Sequence, residues 1–206
     1  GFDSPFQPMA QDVNFLKLGP DHDPTPEFNR YRTAVRYTDT LIDQLLGTLR
    51  DSGLADDTVV LITGDHGEEF NDLHQNYWGH NGNFSDYQIR TPFVLHWPGK
   101  APRRVAQVSS HEDFAPTVLR HALQCGNPTA DYSTGHDLFA PLPEGRPLLV
   151  ESWSQRAVRK DERIYLFDKF GATTVVDRNY REIEGENADP AAVSASWEML
   201  TRFLKR

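Results

Sequence analysis

Residues 58–67 read Thr-Val-Val-Leu-Ile-Thr-Gly-Asp-His-Gly, and this stretch constrains the fold more than any other. An apolar, β-branched run that stops at a glycine has the form of a buried strand. The carboxyl end of such a strand projects Asp65 and His66 into a cleft, the edge at which open α/β sheets place their sites. A neighbouring carboxylate and imidazole can hold a divalent metal such as Zn2+ or Mn2+. Glycines at 64 and 67 let the backbone turn both side chains toward one ion. The plainer reading is a capping Asp followed by a surface His.

The chain of 206 residues is long enough for one substantial core and too short for two comfortable domains. Its net charge of −9 disfavours nonspecific nucleic-acid binding, which needs a basic surface. Arg103-Arg104 is a local basic pair that reads as a solvated loop. No apolar run approaches the ~20 residues of a membrane span. Gly1 to Pro8 shows neither the basic region nor the apolar core of a signal peptide. The single Cys125 cannot form an internal disulfide and reads as a small buried hydrophobe in a helical pattern.

Residues 1–26 carry Pro5, Pro8, Pro20, Pro24 and Pro26 and read as irregular. A helix is expected next, with Thr25 as N-cap and Pro26 and Glu27 in the first turn. Phe28, Tyr31, Val35, Thr38, Ile42, Leu45, Leu46 and Leu49 recur at three-to-four spacing along one face, and Gly53 marks the stop. Helix followed closely by strand is half of a parallel βαβ unit. Residues 68–90 have no clear period, and a loop of that length in a compact domain is usually functional or disordered. Its aromatics Phe70, Tyr77, Trp78 and Phe84 argue against disorder.

Further strands are expected at 92–97 and 106–109, then a helix near 111–124. Strands at 147–151, 163–168 and 173–177 follow, the last two forming a hairpin about Lys169-Phe170-Gly171. A terminal helix is expected over about 190–205.

Several other side chains join Asp65 and His66 as candidates. Glu68 and Glu69 read as a solvated helix start, or as the source of a carboxylate that orients His66 from behind. His80, in Trp78-Gly79-His80-Asn81-Gly82, lies on tightly turned backbone and could reach a phosphate or sulfate group or a second ion. His74 is the weaker candidate in the same loop, and His96 reads as a satisfied strand histidine. His111, beside Glu112 and Asp113, either caps a helix or faces the cleft. No nucleophile elbow, phosphate-cradling glycine loop or His-Glu-x-x-His pattern is present in the sequence.

Thr63-Gly64-Asp65-His66-Gly67-Glu68 resembles the second metal-binding motif of the alkaline phosphatase superfamily, which includes sulfatases, phosphoethanolamine transferases and lipoteichoic acid synthases. Ser110-His111-Glu112-Asp113-Phe114-Ala115-Pro116-Thr117 is similar to the sulfatase helix pattern Asp-x-x-Pro-Thr, and Gly135-His136-Asp137-Leu138-Phe139 to a downstream Gly-x-x-Leu element. Asn76-Tyr77-Trp78-Gly79-His80 and the segment 131–139 resemble the sulfatase-like periplasmic domain of the YejM/PbgA type.

The resemblance implies an α/β, alkaline phosphatase-like fold, a mostly parallel sheet flanked by helices, of which this chain is the C-terminal portion. Residues 1–206 then belong to one sulfatase-like domain, with 1–26 as irregular lead-in and 140–206 as a C-terminal hairpin and helix subregion. Asp65 and His66 carry over as ligands of a divalent ion (Mg2+, Mn2+, Ca2+ or Zn2+). His80 carries over as a catalytic and substrate-side histidine, and His111 is the further substrate-side candidate.

The nucleophile and first metal carboxylate of the superfamily lie in its N-terminal half, and no counterpart precedes Asp65. The implied partners are that half of the domain and a phosphate or sulfate ester, with lipopolysaccharide or cardiolipin as candidate lipids. The implied location is the periplasmic face of a bacterial inner membrane, anchored by an N-terminal region. The implied activity is ester hydrolysis or headgroup transfer. The alternative is a non-catalytic lipid- or protein-binding regulator of envelope lipids.

Overall fold

The structure, a computed structural model, describes residues 18–204 except Asn81, Trp153, Ser154, Lys169 and Gly171. Most of the expected irregular lead-in therefore lies outside the described residues, as do two of the three residues named for the hairpin turn. The chain divides between Pro102 and Arg103 into two compact units.

The first unit opens with α1, Thr25–Asp51. Its cap differs from expectation: Pro24 occupies the N-cap position, and Asp23 Oδ1 accepts the Thr25 amide at 3.0 Å. Thr25 is already helical, so the upstream acid takes the role. The other end follows the sequence. Gly53 has φ +72°, its amide donates to the Arg50 carbonyl, and the Leu54 amide donates to Leu49. These two bonds close the last turn in the manner glycine makes inexpensive. The apolar stripe is present, yet α1 buries no residue fully. Phe28 and Tyr31 lie against the Phe70 ring, with centroids 5.5 and 5.3 Å away, while Val35 and Leu45 are 48% and 57% exposed.

Strand β1, Val60–Thr63, pairs antiparallel with β4, Phe93–His96, in the register Val60↔His96 to Thr63↔Phe93. Thr63 Oγ1 donates to the Pro92 carbonyl at 2.8 Å. The carboxyl end of β1 and the amino end of β4 are thus side by side, and residues 64–92 make one excursion from that edge. Within it lie a two-residue ladder of β2, Glu69–Phe70, with β3, Trp78–Gly79, and one helical turn, α2, Asp86–Ile89.

The second unit contains α3, Phe114–His121, preceded by a 3-10 turn at His111–Asp113. Ser110 and Asp113 form a reciprocal capping box, so capping is what the Ser-His-Glu-Asp cluster does. The helix ends short of the expected 124, and Cys125 lies beyond it, half-buried. No strand forms at 106–109; residues 101–108 are exposed and join no ladder.

Four strands then follow: β5, Leu148–Glu151; β6, Arg156–Lys160; β7, Arg163–Phe167; and β8, Thr173–Asp177. They form an antiparallel meander in chain order. Val158, Tyr165 and Val175 stand opposite one another across three strands, and α4, Pro190–Thr201, covers the row with Ala192.

Every strand ladder among the described residues is antiparallel. Helix α1 is followed closely by strand β1, as expected. The parallel pairing expected from that order is not found within these residues, where β1 pairs with β4 alone, and the 64–92 excursion brings β4 back antiparallel.

Candidate metal centre

The excursion from the β1–β4 edge gathers three potential ligands. One ligand atom from each of His66, Glu68 and His80 lies within 4.8 Å of the other two. The β2–β3 ladder makes this meeting. Glu69 stands opposite Gly79, which sets Glu68 and His80, each one residue outside the paired positions, near one another.

His80 Nδ1 lies 2.9 Å from Glu68 Oε2. A carboxylate accepts, so this nitrogen carries the hydrogen and Nε2 keeps the lone pair. His66 Nδ1 lies 2.9 Å from the Gly67 carbonyl, which likewise leaves Nε2 as its lone-pair nitrogen. The two rings stack with centroids 3.8 Å apart. An imidazole backed by a carboxylate is a common arrangement behind metal ligands, because it fixes the tautomer and the ring orientation.

Asp65 is beside the trio rather than in it. Its Oδ2 is 3.5 Å from His66 Nε2, and its side chain is 90% exposed. Hydrogen bonding from its own backbone amide, with the nearby His66, holds its carboxyl below the ordinary aspartate range, so it stays an anion available to a cation. Two imidazoles and two carboxylates form a donor set that fits a divalent ion of the Zn2+ or Mn2+ kind.

The glycines act differently from expectation. Neither Gly64 nor Gly67 has a positive φ. Gly67 is needed for close approach instead: a Cβ there would sit 2.2 Å from the Tyr87 carbonyl oxygen. The Gly67 amide donates to the Gln88 carbonyl at 2.7 Å, which ties the residue after His66 to α2.

A family model described as Sulfatase matches residues 4–124, more than half of the chain. The chain belongs to the sulfatase family. Among its relatives is the inner membrane protein YejM of Salmonella typhimurium, 31% identical over 110 residues, which are 53% of this chain and 18% of that protein. Rat steryl-sulfatase (Rattus norvegicus) is 32% identical over 153 residues, 66% of this chain and 26% of the relative. This member of the sulfatase family thus spans less than a third of the length of these curated relatives.

Among solved structures, the phosphonate monoester hydrolase of Agrobacterium radiobacter superposes with a TM-score of 0.57 at 22% identity, covering 80% of this chain and 38% of that one. A Bacteroides thetaiotaomicron protein assigned to the sulfatases gives 0.58 at 16% identity, covering 84% of this chain and 41% of that one. These likenesses establish the alkaline phosphatase-like α/β fold. The relatives are members of a hydrolase superfamily.

Within this sulfatase-family chain the structure brings His66 and His80 together and sets Asp65 beside them. His111 lies exposed in the second unit, at the head of the turn before α3. His74 has φ +55° in the 71–77 turn, and His96 Nε2 is 3.4 Å from the Ala55 carbonyl. The carboxylate expected behind His66 stands behind His80 instead.

The sequence reading also missed two buried acids. Glu69 is fully buried, with Oε2 accepting from Asn83 Nδ2 at 2.8 Å, Gln88 Nε2 at 2.7 Å and Ser85 Oγ at 3.3 Å. Asp113 is fully buried too, gripped by both Nη atoms of Arg146 and by the amides of Ser110 and His136. A signal existed for the first. Consecutive residues on extended backbone face opposite ways, so a Glu-Glu pair entering a strand divides into one outward and one inward acid.

The two remaining sulfatase motifs serve the scaffold. Thr117 Oγ1 donates to the Asp113 carbonyl and accepts the Leu138 amide at 2.9 Å. A Cβ on Gly135 would sit 2.0 Å from the Glu112 carbonyl oxygen. The Asp-x-x-Pro-Thr and Gly-His-Asp-Leu segments therefore lock directly onto each other.

Proposed function

We propose that this chain supplies part of the centre of a metal-dependent enzyme that hydrolyses or transfers phosphate or sulfate esters. The observation that carries the reading is the His66, Glu68 and His80 trio at the edge where β1 ends. His66 would hold a divalent ion together with Asp65, and His80 or Glu68 would complete the set. The bound ion would neutralise developing charge on the ester oxygens and lower the pKa of an attacking hydroxyl.

His80 has a second capacity. With Nδ1–H directed to Glu68, its Nε2 can accept a proton and return it to a leaving oxygen. Glu68 would stabilise the imidazolium formed in between. His111 remains the proposed substrate-side residue outside the trio. A phosphate or sulfate ester on a lipid headgroup is the proposed substrate, lipopolysaccharide and cardiolipin being the candidates. The proposed setting is the periplasmic face of an inner membrane, supported by the likeness to YejM, which is named as an inner membrane protein. Among the described residues no helix is long and apolar enough to cross a membrane.

A second reading has its own support. The same relative is named for its location rather than for an activity. In that reading the protein binds an envelope lipid or a partner protein and turns nothing over. Calorimetry with Zn2+ and Mn2+, paired with hydrolysis of aryl phosphate and aryl sulfate, separates the two. The enzyme reading expects metal uptake that His66→Ala abolishes and metal-dependent hydrolysis in the protein with its whole domain. Metal uptake without hydrolysis favours the second, and undiminished uptake by His66→Ala removes the first.

A further inference from the structure

We infer that Glu69 is the positioning residue of this centre: its buried carboxylate sets His80 against Glu68. The inference rests on reading the trio as a metal site. Glu69 directly follows Glu68, and across the β2–β3 ladder it stands opposite Gly79, directly before His80. Its backbone therefore spans the two halves of the 2.9 Å contact.

Its side chain fixes the segments that follow. Asn83, Ser85 and Gln88 all converge on Oε2. Gln88 extends the brace: its Oε1 accepts the Gly82 amide at 3.0 Å and the Asn83 amide at 3.2 Å, and its carbonyl accepts the Gly67 amide. The residue after His66 and the residues just past His80 thus hang on one Glu69–Gln88 pair.

Among the described residues Oε1 of Glu69 is buried with no hydrogen-bond partner, and the three groups on Oε2 are uncharged amides and a hydroxyl. The acid is thus held by its neighbours through one oxygen alone. Groups behind metal ligands set affinity by orientation, and losing one typically costs about 10–100-fold.

The test uses the full chain and Zn2+ alone as probe, with affinity and melting temperature measured on each variant. Glu69→Gln keeps an acceptor oxygen for the three donors and should bind within a few-fold of wild type. Glu69→Ala should lose about 10–100-fold, and Gln88→Met, which cuts the brace from the other side, should lose affinity in the same direction if Glu69→Ala does not fold. In a His80→Ala background the Glu69 effect should be clearly smaller, since one of the two segments it positions no longer carries a ligand. Undiminished affinity in both brace variants, or an equal loss with and without His80, overturns the inference. Equal binding by wild type and His66→Ala would instead remove the metal reading itself.

Discussion

The imidazoles of His66 and His80 lie nearly parallel, 21° apart in plane, with ring centroids 3.8 Å apart. Rings held this close offer two imidazole donors to one ion. His66→Ala and His80→Ala should each weaken Zn2+ binding, and the two losses should not simply add, since both rings would serve the same ion. Calorimetry on the two single variants and the double variant checks it. A loss confined to one of the two would mean that the other histidine does not ligate.

Gly67 gives a steric prediction. A methyl group there would press on the Tyr87 carbonyl at 2.2 Å and the Arg90 carbonyl at 3.2 Å, both backbone atoms that cannot swing away. Gly67→Ala should cost about 2–3 kcal/mol and loosen the contact between the residue after His66 and α2. At Gly64 the nearest atom would be 3.3 Å away, so Gly64→Ala should be markedly milder. Urea denaturation of both variants decides whether the order holds.

The Arg146–Asp113 pair predicts a large effect on stability. Asp113 is fully buried and Arg146 is 9% exposed in its side chain. Removing the guanidinium leaves a buried carboxylate without its cation, a loss of about 3–5 kcal/mol. Arg146→Ala should show that loss in equilibrium unfolding while Zn2+ binding by the folded fraction is unchanged. Loss of metal binding by folded protein would count against assigning this pair to the scaffold.

Asp189 gives a prediction in pH. It caps α4 through the Ala191 amide at 3.0 Å and meets Lys160 Nζ at 2.6 Å. The Lys160 hydrogen bond, then that amide, hold its carboxyl below the ordinary range, and the Asp189 hydrogen bond raises Lys160 above its own. A depressed carboxyl stabilises the fold above the ordinary aspartate value of about 3.9, and the contribution disappears as pH falls through the native value. The raised ammonium contributes below about pH 10.4 and loses that contribution at higher pH. Helicity should thus decline at strongly acid pH, and Asp189→Ala should lower stability at neutral pH while flattening the acid limb. Circular dichroism during acid titration measures both.

Local signals made much of this fold legible. The stripe and stop of α1 come from three-to-four spacing and Gly53, and β1 from its apolar run. The β7–β8 hairpin follows from two β-rich segments about a short turn. Strand β6 escaped notice because Arg156, Arg159 and Lys160 frame only Ala157 and Val158, too short a run to show a period. Asp65, His66 and His80 stood out by type and by neighbouring glycines.

What could not be read was which carboxylate meets which ring. That depends on the Glu69↔Gly79 register of a ladder two residues long on each side, far below any periodic signal. Asp113 looked like one more acid at a helix start, since its partner Arg146 is 33 positions away.

The meander of β5 to β8 joins each strand only to its neighbour in the chain. Every rung of that sheet closes a short loop, so little entropy is lost before the first ladder is rewarded. The sheet should therefore assemble on the fast timescale of hairpins, whereas the β1–β4 pair must wait for the whole 64–92 excursion to come round.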